Sequence, residues 1–163
     1  MINYVCKYAP VELFKGFGQE CAVLEEMPEN FDKSDKIAHA NLCGFGKSVI
    51  QAVLEGKVEE LVLVNCCDSM RRVYDIIENT KKCKFLYMLD LPHEDNECEN
   101  IKFAQSILRL KKAYERYSHR TIDRELFIKS FAKPESESKP YIGLKGVHVS
   151  SILEKTIREN MQM

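Results

Sequence analysis

Two adjacent thiols are the residues of this chain best suited to chemistry. Cys66 and Cys67 follow the apolar run 61–64 and directly precede Asp68. The apolar run predicts a buried strand of a parallel sheet, and the residues from Ser69 onward predict a helix. Both thiols should therefore lie at the carboxyl end of a strand and face a helix N-terminus, where they ionise easily. Ionised thiols in this position could bind a metal, form a cross-link or act as nucleophiles.

Two further cysteines have a comparable setting. Cys43 directly precedes Gly44-Phe-Gly46-Lys47 at a predicted helix start, and Cys6 precedes a helix predicted to begin at Pro10. Iron–sulfur clusters need thiolates that nearby amides and cations stabilise, and separated loops can converge on one cluster. The spacing of these cysteines leaves two interpretations open, a metal–sulfur site or a set of buried or reactive thiols.

The composition indicates one soluble domain in a reducing compartment. The net charge of −1 over 163 residues gives no reason to expect nucleic acid or an anionic membrane as a partner. No apolar run is long enough for a membrane span, and no secretory signal opens the chain, so we expect a cytoplasmic protein. Seven cysteines without a CxxC pair then favour metal or redox chemistry over disulfides. Cys21, Cys83 and Cys98 are interpreted as inert residues of strand edges, core or loops.

The elements that must position these thiols alternate between strands and helices. Strands are predicted over residues 21–24, 61–64 and 85–89, and helices over residues 10–18, 37–40, 47–54, 70–77 and 97–117, with a last helix from a cap at Thr121 to about 131. The alternation gives right-handed βαβ units. We therefore predict an α/β fold with a three-layer, doubly wound, flavodoxin- or Rossmann-like parallel sheet. Its strand ends would bring Cys66 and Cys67, loop 90–93 and Glu25-Glu26 to one crevice.

The chain also has a predicted domain boundary. Residues 1–132 form the α/β domain with its trailing helices, and the proline-, serine- and charge-rich segment 133–140 is a linker. Residues 141–163 resemble a strand over 141–146 followed by a helix over 149–157. This single β-α unit is too small for a domain, and we interpret it as the start of a truncated second one.

Four segments resemble elements of the 2-hydroxyacyl-CoA dehydratase family, which includes 2-hydroxyglutaryl-CoA dehydratase D-component subunits and benzoyl-CoA reductase subunits. They are Cys-Lys-Tyr-Ala-Pro-Val-Glu at 6–12, Asn-Leu-Cys-Gly-Phe-Gly-Lys-Ser at 41–48, Cys-Asp-Ser-Met-Arg-Arg at 67–72, and Asp-Leu-Pro-His at 90–93. The four occur in the order that the family has, and together they are specific. The resemblance covers only what corresponds to the N-terminal half of a family member.

The resemblance implies a [4Fe–4S] cluster held by Cys6, Cys43 and Cys67, with one iron left without a protein ligand. It also implies three partners: an ATP-dependent activator iron–sulfur protein, a sister dehydratase subunit or second copy, and an acyl-CoA substrate. In the family, one low-potential electron converts the thioester into a ketyl radical, and the β-hydrogen then leaves with the α-hydroxyl. The expected function is therefore radical dehydration of a 2-hydroxyacyl-CoA.

The extra thiol of Cys66 departs from the family pattern. Some reductase-like relatives with a double-cubane [8Fe–9S] cluster use additional cysteines, and Cys66 with Cys21 could serve such a cluster. The alternative is that Cys66 ends the strand facing the core. Two other functions therefore stay open, a double-cubane reductase-like protein and a truncated, non-catalytic cluster-binding or scaffold protein.

The polar residues near the thiols have less specific interpretations. Asp68 and Arg71, with Arg72, could bind cluster sulfurs or CoA phosphate, or they could be a helix cap and a solvated face. Gly44, like Gly46, could let the backbone approach the cluster closely. His93 is a candidate proton donor in its strand-end loop, although a loop histidine is more often a turn residue. No other catalytic residue is predicted.

Overall fold

A computed structural model describes residues 1–25, 27–132 and 151–160 of the chain, with only the backbone of Ser151 and Ile152. The chain divides into two compact units, Met1–Phe131 and Ala132–Met163. The predicted linker 133–140 and the predicted strand 141–146 lie outside the described residues. In the second unit the structure describes one helix, over Ser151–Asn160. The domain boundaries given by the sequence stay a prediction.

The first unit is built on a parallel sheet of four strands. They are β1 Ile2–Tyr4, β2 Cys21–Val23, β3 Glu60–Val64 and β4 Phe85–Leu89, and they lie in the order β2-β1-β3-β4. All three pairings are parallel. The chain moves outward from β1 to β2 and outward in the other direction from β3 to β4. The connections therefore reverse between β1 and β3, which is the switch point of a flavodoxin-like sheet.

Helices cover both faces of this sheet. They are α1 Val11–Gly16, α2 Gly44–Leu54, α3 Asp68–Thr80, α4 Glu97–Ser118 and α5 Arg124–Lys129, and the helix of the second unit is α6. Buried residues of α2 and α3 pack with Leu61 and Leu63, whereas those of α1 and α4 pack with Val62. Successive β3 residues thus face opposite layers, as the pleat requires. The predicted doubly wound α/β fold with three layers is confirmed.

The first strand is the main element that the sequence prediction lacked. β1 has only three residues, and its middle residue is the buried polar Asn3, so neither an apolar run nor an alternation marks it. It nevertheless lies in the centre of the sheet, between β2 and β3. The strand predicted over Cys21 to Leu24 exists, but the prediction that it is the first strand of the chain was wrong, because β1 precedes it.

Four predicted helices also need correction. The helix expected over 37–40 is replaced by a 3-10 turn over Ser34–Lys36, because the Gln51 side-chain oxygen accepts the N–H groups of Lys33 and Ser34 at 3.1 and 2.8 Å. α2 begins at Gly44 rather than at residue 47, and α3 begins at residue 68. The cap of α5 is not Thr121 but Asp123, whose carboxylate accepts the N–H groups of residues 125 and 126. No helix among the described residues is long and apolar enough to cross a bilayer.

Candidate thiol site

Cys6 lies at the end of the central strand. β1 ends at Tyr4, and the chain turns at once, with the Cys6 carbonyl accepting the N–H of Ala9 at 2.9 Å. The Cys6 side chain is 2% exposed and belongs to the core on the α2–α3 side of the sheet. From the sequence, Cys6 was predicted only to precede a helix. In the structure it occupies the switch point itself, which is where doubly wound sheets bind their ligands.

Cys66 and Cys67 follow the neighbouring strand, on the other side of the switch point. β3 ends at Val64, and the Cys66 N–H turns back to the Val64 carbonyl at 2.8 Å. Cys67 is the N-cap of α3, and its carbonyl accepts the N–H of Met70 at 3.1 Å. Both residues are exposed. The interpretation that Cys66 faces the core is therefore wrong, because the strand has ended two residues before it.

The two adjacent thiols have different electrostatic surroundings. Partial desolvation, followed by the charge of Cys67, a hydrogen bond with the Cys67 thiol and the charge of Cys6, raises the pKa of Cys66 to about 11. The prediction that both strand-end thiols ionise easily is thus wrong for Cys66, since like charge and desolvation outweigh the helix N-terminus. The same interactions show that Cys6, Cys66 and Cys67 share one environment.

Cys43 begins the helix next to α3. It is the N-cap of α2, it is exposed, and its Sγ accepts the N–H of Gly46 at 3.4 Å. A Cβ on Gly46 would stand 3.0 Å from Val73 Cγ2 of α3, so the first turn of α2 lies directly against α3. Gly44 has no such neighbour, because a Cβ there would meet nothing within 4 Å. The close approach of Gly44 and Gly46 to a cluster stays a prediction; within the protein, only Gly46 of the two lies tightly against a neighbouring side chain.

A side-chain clamp fixes the backbone that carries Cys66 and Cys67. Asn65 donates from Nδ2 to Asp90 Oδ1 at 2.8 Å and accepts from Arg71 Nε at 2.6 Å. Arg71 Nη1 also pairs with Asp68 Oδ1 at 3.2 Å. The clamp joins the ends of β3 and β4 to the first turn of α3. Within the clamp, Asp68 and Arg71 are paired with each other. The sequence analysis did not predict a role for Asn65, although an amide side chain directly after a buried strand is typical of a site residue.

The remaining candidates are Cys21 and His93. Cys21 is the first residue of β2, paired with Ile2, so it lies at the amino edge of the parallel sheet, opposite the edge of Cys6. Burial raises the pKa of its thiol, which points at the carbonyls of Val11 and Gln19. His93 is exposed, and its backbone N–H donates to Glu99 Oε2 at 3.4 Å.

The donor chemistry of the crevice fits an iron–sulfur cluster. Among the described residues, no three His, Cys, Asp or Glu side chains gather as they would around a single metal ion. A cluster makes a different demand, because each thiolate binds a different iron. Cys6 and Cys67 follow neighbouring strands and Cys43 caps the adjoining helix, so the three sulfur donors lie at one edge of the sheet, two of them at helix N-termini.

The protein is thus a doubly wound α/β protein. Three thiols, those of Cys6, Cys43 and Cys67, lie at the carboxyl edge of its sheet, where this class of fold binds ligands. The profile of the family described as 2-hydroxyglutaryl-CoA dehydratase, D-component, matches residues 6–139 of the 163-residue chain. Because the match covers most of the chain, the protein belongs to this family, and the resemblance seen in the sequence is confirmed. The chain is thus a dehydratase-type component. A search of the curated proteins finds no significant match.

Proposed function

We propose that the chain is the iron–sulfur component of a 2-hydroxyacyl-CoA dehydratase-type enzyme, with Cys6, Cys43 and Cys67 as ligands of a [4Fe–4S] cluster. The observation that carries the proposal is the position of these thiols: one follows the central strand at the switch point, and two cap neighbouring helices on the same face of the sheet. Family membership supports the dehydratase reaction.

Each protein group has a role that its position supports. Cys43 and Cys67 place sulfur at helix N-termini, where backbone N–H groups and the helix dipole stabilise negative charge. Cys6 is buried, so it would offer a sulfur that is screened from water. The clamp of Asn65 and Arg71 holds the Cys67 backbone in register with the end of β4. The cluster, when bound, supplies low-potential one-electron chemistry and an iron without a protein ligand.

The partners follow from the same proposal. An ATP-dependent activator protein delivers the electron, an acyl-CoA thioester accepts it, and a sister subunit or a second copy completes the enzyme. The reaction is the radical loss of water from a 2-hydroxyacyl-CoA, in the cytoplasm. His93 is the candidate proton donor, and its exposure beside the end of β4 is compatible with that role.

A double-cubane reductase-like protein is the second candidate. The adjacency of Cys66 to Cys67 favours it, because both are exposed and an extra sulfur lies one residue from a proposed ligand. The position of Cys21 at the opposite edge of the sheet argues against the pair of Cys66 and Cys21 as ligands of one further cubane. Cys66 alone would have to supply the additional ligation from this chain.

Iron and sulfide analysis after anaerobic purification tests the proposal. We expect about four irons per chain, whereas about eight would support the double cubane. Replacing Cys6, Cys43 or Cys67 by Ala should remove most of the iron, and Cys66→Ala should retain it. Cys98→Ala is the matched control, because Cys98 is also exposed and also lies at a helix start. Iron content in Cys67→Ala equal to that of the control, or no iron in the unmodified chain, would contradict the proposal.

Catalysis is tested separately from cluster binding. Dehydration of a 2-hydroxyacyl-CoA should require the cluster, the activator and ATP together. A chain that holds the cluster but gives no dehydration with its activator and sister subunit would instead be the non-catalytic binding protein.

A further inference from the structure

An apolar groove of about 710 Å³ lies on the α1–α4 side of the sheet and opens at the carboxyl edge that also carries the thiols. Its walls come from the loop after β1, the loop after β4, and the helices α1, α4 and α5; they include Lys7, Tyr8, Leu91, Phe103, Ile107 and Phe131. All of these residues belong to the first unit. The volume lies within the range of about 300–1,000 Å³ that small-molecule sites occupy.

The groove and the crevice share two loops. Lys7 directly follows the proposed ligand Cys6, and both lie in the turn that leaves β1. Leu91 directly follows Asp90, which is bound to the Asn65 side chain next to Cys66. A ligand bound at the thiols would therefore reach the groove by passing over the strand ends, where Leu91 packs against the cores of both faces.

The groove walls favour an uncharged, apolar group. Two charged residues line it, Lys7 and Glu12, and their charges offset each other. Lys7 Nζ lies 5.1 Å from the centre of the Tyr8 ring, where the ring already attracts it. A ligand carboxylate in the groove would lose hydration and meet the like charge of Glu12. Aromatic and aliphatic side chains supply the remaining surface.

We propose that this groove binds the side chain of the acyl group, and that this chain therefore serves an apolar or aromatic 2-hydroxyacyl thioester rather than a dicarboxylic one. The thioester as ligand rests on the proposed function. The specificity rests on the groove alone. Phe103 of α4 and Phe131, which is 58% exposed, are the side chains that contact the acyl group.

Calorimetric titration of the anaerobically purified full chain tests this specificity. The probes are 3-phenylpropionyl-CoA and glutaryl-CoA, which lack the 2-hydroxyl group and cannot be dehydrated. We expect the phenylpropionyl thioester to bind roughly tenfold or more tightly, from the apolar area that its ring buries. Phe103→Asp should abolish the difference. Leu108→Asp is the control, because Leu108 lies on the same helix, is 55% exposed and does not line the groove.

Several outcomes would overturn the proposal. Equal affinity for the two thioesters would do so, as would equal effects of Phe103→Asp and Leu108→Asp. Phe131→Glu provides a second variant should Phe103→Asp fail to fold, because its exposed position tolerates charge. If instead the chain self-associates and Phe131→Glu disperses it, a second copy covers the groove and the proposal fails. The titration requires neither cluster nor turnover, so failure of dehydration with retained selectivity would refute the proposed function alone.

Discussion

Replacement of Gly46 by Ala tests whether the close approach of α2 and α3 sets the thiol site. The new Cβ would stand 3.0 Å from Val73 Cγ2 and 3.3 Å from Leu42 Cγ. Val73 is fully buried, and a β-branched side chain in a helix has essentially one χ1 rotamer, so it cannot turn away. One of the two helices must therefore give by a few tenths of an ångström, and a shift of the first turn of α2 would carry Cys43 with it.

The magnitude follows from a comparison with Gly44→Ala. Both substitutions gain helix propensity of up to about 1 kcal/mol in the same first turn, so the gain largely cancels between them. The Cβ on Gly44 meets nothing within 4 Å, whereas the Cβ on Gly46 overpacks a filled core. Overpacking costs about 1–3 kcal/mol, which is the expected difference between the two variants in free energy of unfolding.

Urea denaturation of the two variants measures this difference, and iron analysis measures its effect on the site. We expect Gly44→Ala to equal or exceed the unmodified chain in stability and to keep its iron. Gly46→Ala should be the less stable variant and should retain less iron after gel filtration. Equal stability of the two variants would refute the reasoning, because it would mean that α2 and α3 are not in tight contact at Gly46.

Two further predictions concern the core and its pH dependence. Tyr114→Ala should lower the free energy of unfolding by about 3–5 kcal/mol, because the ring is 1% exposed and packs edge-on against Phe14, Phe17 and Phe85 at 5.0–5.1 Å; a loss below 1 kcal/mol in urea denaturation would contradict that packing. Burial raises the pKa of Cys83 from 9.0 to about 11, so between these values the unfolded chain releases its proton first and stability falls as pH rises. In Cys83→Ala, the free energy of unfolding should fall less between pH 8 and 11 than in the unmodified chain, by up to about 2 kcal/mol because the thiol is only partly buried. Curves of unfolding free energy against pH that run parallel for the two proteins would contradict this prediction.

The sequence predicted the sheet where local patterns are strong. The run 85–89 was placed without error, and the strand at 61–64 lacked only its first residue, because each is a continuous apolar stretch between polar turns. The three residues of β1 carry no such pattern, since only its pairing with two neighbouring strands makes Ile2–Tyr4 a strand. Tertiary contacts, which a local pattern does not contain, decided the element that brings Cys6 to the site.

The candidate site shows the same division between local and distant information. The helix starts at Cys43 and Cys67 were predicted to within a few residues, because glycine, aspartate and serine follow those thiols. The clamp of Asn65 was not predicted, because its partner Asp90 is 25 residues away and becomes a neighbour only through the pairing of β3 with β4. The pKa of Cys66 is raised mainly by burial and by its neighbour Cys67, with a smaller contribution from Cys6, which follows another strand.

The adjacent thiols of Cys66 and Cys67 are unequal because of where the helix begins. Cys67 is an N-cap, as is Cys43, and α2 and α3 pack side by side on the same face of the sheet. The same arrangement therefore occurs twice. In each case the carbonyl of an N-cap cysteine accepts an N–H group of the first helical turn, and its sulfur lies at the positive end of the helix dipole. Cys66 precedes that position and lacks both features. Its thiol is therefore a neighbour of Cys67, and in the proposed ligand set the third sulfur would come from Cys6, which follows the central strand β1.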